Sequence, residues 1–331
     1  MAFSKELAAE AISALLGFRV TALSGNAHPG VTTDQIVTLP VFHHFTMLAF
    51  RSCSYCTIRN EPLPKIKRTV CFRNFTGKKF SITDDFKEDD LVKRIENEFG
   101  IQSQNLQILS PSCMSYKVRP IDIAEPNTIC RIDVDNHYYC YDTQKAMFIK
   151  DDDFFSHQFN YDFTRIRDTQ KFYRGGEEYA RPGGWYRYAF RVLGVYKCPP
   201  NDKWLGLVGR PSPCESAPDE WPVSYHGTKR DLQTNAGVQA ESRIGSFGPG
   251  VYSTPFLSCA QRFSETRGGK FRASDGKQYL VAVQNRLCKE NRTTVPKFET
   301  FDDDYYITPE DEDTPGKLGT RPYGLLLKLC S

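Results

Sequence analysis

Nowhere in its 331 residues does this chain carry the roughly 18 consecutive apolar residues that a membrane-spanning helix needs. It lacks an excess of charge as well: 43 Lys and Arg against 40 Asp and Glu leave a formal net charge of +3. So weak a field argues against nucleic acid or an anionic membrane as a partner. The opening MAFSKELAAEAISALLGF lacks the clean small-residue cleavage site of a signal peptide, and Glu6 and Glu10 interrupt its apolar part. The eleven cysteines lack a disulfide framework: their number is odd, and they scatter through strand-like segments such as TVCFRNF and TICRIDV. Without a secretion signal the expected setting is reducing, cytoplasmic or nuclear. One tight pair, Cys53 and Cys56, has His43 and His44 upstream. A lone Cys-x-x-Cys is weak support for zinc, because a structural site needs four ligands. No metal is expected, and core or surface thiols are the better reading.

What is present is ordinary globular composition, 40% apolar and 25% charged, in a chain long enough for two domains with real cores. Ser4 as N-cap, with Leu7, Ala8, Ile12, Leu15 and Leu16 on one side, predicts an amphipathic N-terminal helix. Between residues 20 and 67, SGNAHPGVTTD reads as loop, QIVTLPVF and FTMLAF as short strands, and NEPLPKIK as a linker. Residues 1–66 are expected to be a helix and an irregular segment.

From Arg68 the pattern sharpens. RTVCFRNF alternates, a Thr-Gly turn follows, and KKFSIT alternates again, so a hairpin is predicted. KEDDLVKRIENEFG places Leu91, Ile95 and Phe99 at helical spacing and ends on Gly100, a C-cap residue. NLQIL and TICRIDV supply further strands. The order strand, turn, strand, helix, strand resembles the ubiquitin β-grasp. FTGKKFSI resembles the first hairpin of ubiquitin, and GIQSQNLQIL its segment after the helix. The resemblance implies a ubiquitin-like domain over residues 67–136, with an apolar docking patch at Phe75, Ile108 and Ile132 for ubiquitin-system proteins. The chain continues into NHYYCYD rather than a diglycine tail, which argues against a conjugable modifier.

Three adjacent Asp in KDDDFFSHQFNYDF read as solvated surface. From Trp185, the residues Ala189, Val192, Leu193 and Tyr196 suggest a buried helix, preceded by the turn-rich YRGGEEYARPGG. The sequence assigns no role to that Arg-Gly-Gly-Glu step.

Two short motifs carry chemistry. EWPVSYHGT delivers His226 at a strand end, followed by Gly227, which lets backbone approach a ligand closely, and Thr228, which offers a hydroxyl. GPGVYSTP then fixes Tyr252 beside Ser253 and Thr254. An aromatic face near small hydroxyls suits a flat amide heterocycle. LSCAQRF reads as a helix behind that strand, and KQYLVAVQNRL and RPYGLLLKL as strands.

In order and spacing these motifs resemble the NAD-binding core of the poly(ADP-ribose) polymerase-like ADP-ribosyltransferases. That family combines a His-Gly-Thr strand, a Gly-x-Tyr strand with a helix behind it, and a Glu on a later strand. The resemblance implies an α+β chain: a ubiquitin-like β-grasp domain, then an ADP-ribosyltransferase split-β-sheet domain over residues 137–331. It implies NAD as substrate and a protein as acceptor. His226 would bond the adenosine-side ribose, and Gly227 main chain the nicotinamide amide, with Thr228 alongside and Ser253 or the Ser258–Cys259 segment as a second contact. Tyr252 would stack on nicotinamide, and Phe263 would be the second ring where the family usually has Tyr. At the place of the catalytic Glu, just before YYITP, stands Asp304, with Asp303 and Glu310 as alternatives. Asp is one methylene shorter, and a shift of about 1 Å in a catalytic contact can cost on the order of 100-fold. The expected activity is mono-ADP-ribosylation with release of nicotinamide. The competing expectation is a catalytically impaired NAD-binding adaptor that docks through its ubiquitin-like domain. An RNA 2′-phosphotransferase ranks last, since the near-balanced charge offers no obvious anchors for RNA phosphate.

Overall fold

The computed structural model describes residues 4–23, 30–50, 69–83, 87–109, 117–118, 120, 123, 137–196, 200–227, 250–266, 269–295, 304–309 and 319–330. In chain order these begin with helix α1 (Lys5–Leu16), strand β1 (Val20–Leu23) and helix α2 (Leu39–Phe50). There follow β2 (Thr69–Asn74), β3 (Lys79–Thr83), α3 (Glu88–Phe99), β4 (Leu106–Leu109), β5 (Lys117–Val118) and β6 (His137–Asp142). Then come β7 (Met147–Lys150), α4 (Asp151–Phe154), β8 (Tyr161–Asp162), β9 (Tyr173–Arg174), β10 (Glu177–Glu178) and β11 (Tyr186–Ala189). The last third holds β12 (Val223–Gly227), β13 (Val251–Ser253), α5 (Leu257–Thr266) and β14 (Lys270–Arg272). It closes with β15 (Gln278–Leu287), β16 (Thr293–Val295), β17 (Tyr305–Thr308) and β18 (Thr320–Leu329). The architecture is mixed α+β. Among the described residues no helix is long and apolar enough to cross a membrane.

Helix α1 forms for the reasons its sequence states. Ser4 Oγ accepts from the Leu7 N–H at 3.2 Å, Gly17 closes the helix in the left-handed region, and the predicted apolar side is buried. The hairpin of β2 and β3 and helix α3 with its Gly100 cap also lie where the pattern puts them. They belong to a five-stranded sheet of order β3-β2-β6-β4-β5 whose one parallel pair is β2 with β6. Strand β6 starts at His137, after the expected boundary at residue 136, and it is the middle of this sheet. TICRIDV lies outside the described residues.

Alternation along β6 divides two cores. Tyr138 and Cys140 join Val70, Phe72, Ile108, Leu91 and Ile95 beneath α3. Tyr139 and Tyr141 turn to the opposite face, where Phe75 packs among Phe18, Phe45 and Tyr139 with ring centroids 4.6, 5.6 and 5.0 Å away. The expected exposed patch is therefore corrected. Phe75 and Ile108 are each 1% exposed, and they sit in different cores on opposite faces of the sheet. The physical reason is that Phe75 is covered by Phe18 and by Phe45 of α2, while Ile108 packs beneath α3. Ile132, the third patch residue, lies outside the described residues.

Three further expectations change. QIVTLPVF and FTMLAF are not strands: Leu39–Phe50 is helical, Pro40 falls in the first turn where it is tolerated, and Phe42 and Phe45 are buried. Phe42 meets Phe154 and Phe190, while Phe45 meets Phe75 and Tyr139, so tertiary contacts on two sides decide the helix. The segment after Trp185 is strand β11 rather than a helix. Tyr188 is buried and donates to Ser4 O at 2.8 Å, while Arg187 leaves the other face. In the acidic run, Asp152 and Asp153 are exposed as expected, but Asp151 is buried and accepts from His157 Nε2 at 2.7 Å.

The large core lies on a six-stranded sheet, β12-β15-β18-β11-β8 with β14 beside β15. Helices α1 and α2 join this core, so the N-terminal segment is an integral layer of it. A smaller sheet, β13-β17-β16, adjoins β12 through a bridge between Tyr225 and Thr254.

Candidate functional site

Strand β12 ends on the His-Gly step, and the chain returns antiparallel in β13. Tyr225 N–H donates to Thr254 O at 2.7 Å, and Thr254 N–H to Tyr225 O at 3.0 Å. This pairing brings the His226 ring to the Tyr252 backbone, where Nδ1 lies 2.7 Å from the carbonyl oxygen. A carbonyl only accepts, so Nδ1 carries the proton and Nε2 is the acceptor nitrogen of the neutral ring. Burial lowers the His226 pKa from 6.5 to about 4, with the Tyr252 carbonyl opposing that shift. At neutral pH, His226 is an uncharged ring of fixed tautomer, suited to accept from a hydroxyl.

Gly227 is required by space. A Cβ there would stand 2.0 Å from Ala260 O and 2.9 Å from Phe263 Cβ, so strand β12 rests directly on helix α5. Ser253 is 4% exposed, and its Oγ has no hydrogen-bond partner among the described residues. A buried orphan hydroxyl next to a strand end is the kind of group a bound polar ligand satisfies.

Tyr252 does not stand in an open cleft. It is 3% exposed and packs with Cys259, Val295, Tyr305, Ile307 and the half-buried Phe263. Phe263 meets Tyr305 edge-on at 6.4 Å, and Cys259 Sγ lies 3.3 Å from the Tyr305 hydroxyl. The expected stacking pair is thus gathered into one aromatic cluster, with Tyr305 as a third member that sequence reasoning missed. Its signal was alternation in YYIT, where every second residue shares a face.

Asp304 is half-buried, and its main-chain oxygen accepts from Thr254 Oγ1 at 3.1 Å. The backbone of the third motif therefore adjoins the second. Its side chain is a different matter. Tyr305 and Ile307 join Tyr252 on one face, so the alternation of β17 sends Asp304 to the other, with Tyr306. Asp304 raises the Tyr306 hydroxyl pKa, a minor influence beside burial and the neighbouring Glu177. Thr228, Asp303 and Glu310 lie outside the described residues, as do Cys53 and Cys56. His43 is buried in the core between the Thr320 carbonyl and the Tyr196 hydroxyl, at 3.1 and 2.5 Å. His44 is likewise buried, with Nδ1 2.7 Å from the Tyr139 hydroxyl.

A cavity of about 330 Å³ lies elsewhere on the large sheet and contains none of these residues. Arg174, Arg181, Arg187, Arg210 and Arg286 line it. Its sequence signal was the arginine- and aromatic-rich YRGGEEYARPGGWYRYAFRVL, which periodicity could not interpret. No family model, curated protein or solved structure matches this chain.

Proposed function

We propose that the chain is an NAD-dependent mono-ADP-ribosyltransferase acting on a protein acceptor. The single observation that carries this reading is the pairing of a neutral His226, held through Nδ1 by Tyr252 O, with a Gly227 pressed onto helix α5. Bound NAD supplies the glycosidic bond whose cleavage releases nicotinamide and transfers ADP-ribose. In this role His226 Nε2 accepts from a ribose hydroxyl, and Gly227 main chain and Ser253 Oγ hold the carboxamide. Tyr252 and Phe263 supply the aromatic wall, and Asp304 holds the nicotinamide ribose and opposes the positive charge that develops as nicotinamide leaves. Two sheets meeting at the His226 strand support an ADP-ribosyltransferase-like domain. The order β3-β2-β6-β4-β5 with a central parallel pair supports a β-grasp over residues 69–142. The described cysteines, Cys71, Cys140, Cys214, Cys259, Cys288 and Cys330, are free thiols, which supports a reducing cytoplasmic or nuclear setting.

A second reading, an NAD-binding adaptor without turnover, is favoured by one observation. Tyr252 is covered, and Ser253 and Asp304 leave the opposite face with Tyr306, so transfer requires the chain near Tyr252 to open and both of these side chains to turn toward it. Measuring NAD binding and nicotinamide release side by side separates the two. The transferase releases nicotinamide slowly and attaches single ADP-ribose units. Asp304→Ala then lowers turnover far more than NAD affinity, as expected for a contact made in the transition state. NAD binding without release above background, in both the native protein and Asp304→Glu, would establish the adaptor.

A further inference from the structure

The arginine-lined cavity is a second ligand site, and we propose that it binds a small organic phosphate carrying a planar ring, of nucleoside monophosphate size. Charge is the first argument. Five guanidiniums line the cavity and no carboxylate does. The acids that oppose them stand behind the wall. Glu220, with a fully buried side chain, lies 2.7 Å from Arg210 Nη2, 2.9 Å from Arg286 Nη2 and 3.7 Å from Arg174 Nε. Asp168 takes Arg181. Two carboxylates against five guanidiniums leave an excess of three positive charges facing a cavity that opens to solvent. Burial and then the neighbouring Arg210 lower the Arg174 pKa, as expected where cations crowd.

The second argument is unspent hydrogen-bonding capacity. Arg286 is 5% exposed, and its Nε has no hydrogen-bond partner among the described residues. The same holds for Nε of Arg187, whose Nη2 donates only to Phe159 O, at 3.0 Å. No described carboxylate pairs with Arg187. Arg286 spends its two Nη groups on Trp221 O, Leu205 O and Glu220, so the guanidinium edge left open to phosphate oxygens is that of Arg187.

Rings supply the third argument. Arg174 lies over Tyr179 at 5.4 Å, Arg181 over Phe172 at 4.2 Å, and Arg286 over Tyr323 at 5.2 Å. Stacking fixes the guanidinium planes before any ligand arrives. Of the eight exposed large apolar side chains among the described residues, four line this cavity: Phe159, Tyr161, Leu193 and Leu207. That concentration offers a flat apolar body somewhere to lie. The volume suits a small molecule, and Arg187, Arg286 and Tyr323 stand on three strands of one sheet, a rigid platform.

The cavity is separate from the His226 site. Tyr225 donates to Ala180 O at 2.7 Å and Gln284 Nε2, beside it, donates to the hydroxyl of the lining residue Tyr179 at 3.1 Å, so Tyr225 lies behind the wall on the cavity's side of the sheet. His226, next along the strand, faces away.

Titration calorimetry on the full chain tests the site, with AMP, adenosine and inorganic phosphate as separate probes. AMP is expected to bind in one-to-one ratio, with adenosine and inorganic phosphate each far weaker. Arg187→Ala is expected to weaken AMP by about tenfold or more, the effect of losing a charge-assisted bond. Tyr161→Ala removes only a ring at the surface and is expected to weaken AMP while the thermal midpoint stays unchanged. The proposal is overturned if AMP does not bind, if neither Arg187→Ala nor Tyr161→Ala weakens it, or if inorganic phosphate alone binds as tightly.

Discussion

The His226 ring is held by the backbone of Tyr252, not by its side chain: Nδ1 donates to the Tyr252 carbonyl at 2.7 Å while the tyrosine ring turns into an apolar cluster. Two residues that motif reasoning joins as a pair for one ligand are thus joined through main chain. The bond fixes the imidazole tautomer and ties β12 to the strand that carries the aromatic.

Gly227→Ala is expected to be destabilising and to disturb NAD binding, because its Cβ would fall 2.0 Å from a helix backbone oxygen that cannot yield. Overpacking of this kind costs about 1–3 kcal/mol or more. Gly100→Ala is the control. It has open space but a left-handed backbone with φ +68°, and its expected cost is only about 1 kcal/mol. Urea denaturation of both variants checks the order.

Glu220→Gln is expected to be among the most damaging single substitutions. The change leaves Arg174, Arg210 and Arg286 without their shared carboxylate in a buried setting. Breaking a buried ion-pair cluster from one side typically costs about 3–5 kcal/mol. Equilibrium unfolding reads it directly; a loss under about 1 kcal/mol would mean that water already screens the cluster.

Phe75→Ala is expected to lower stability by about 3–5 kcal/mol, the range for a buried Phe. Phe75 is 1% exposed and touches Phe18, Phe45 and Tyr139 across the junction between the five-stranded sheet and the N-terminal helices. Calorimetric melting is the measurement. A melting temperature equal to that of the native protein would contradict the packed junction.

Acid should weaken the fold earlier than carboxylates alone would do. Burial lowers His226 to about 4 and His43 to about 3, both from 6.5. The unfolded chain therefore binds protons that the folded chain refuses, so stability rises with pH in this window. The two contributions are fully present above about pH 6.5 and are lost as pH falls, through about 4 for His226 and about 3 for His43. His43→Gln is expected to flatten the decline in unfolding midpoint between pH 6.5 and 4 relative to the native protein.

Local pattern was enough for much of this protein. Ser4 and Gly17 bound α1, alternation and a Thr-Gly turn make the β2–β3 hairpin, and Leu91, Ile95 and Gly100 define α3. PVSYHG, GVYS, LSCAQRF, KQYLVAVQNRL, YYIT and RPYGLLLKL each form the predicted element, because each carries its own period and its own punctuation. That the His226, Tyr252 and Asp304 segments lie near one another was an expectation of the resemblance; hydrogen bonds join them from His226 to Tyr252 O and from Thr254 to Asp304 O. What the side chains do was not legible in the sequence. Whether Leu39–Phe50 became strand or helix depended on Phe42 and Phe45 finding aromatic partners on two different layers. Phe75 and Ile108 lost their exposure because the five-stranded sheet is covered on both faces. Asp304 parted from Tyr252 because an odd step along a strand reverses direction. The arginine cavity draws Arg187 and Arg286 from two strands of the large sheet and Arg174 and Arg210 from outside it, and only the folded chain, with Glu220 behind, brings these like charges to one wall.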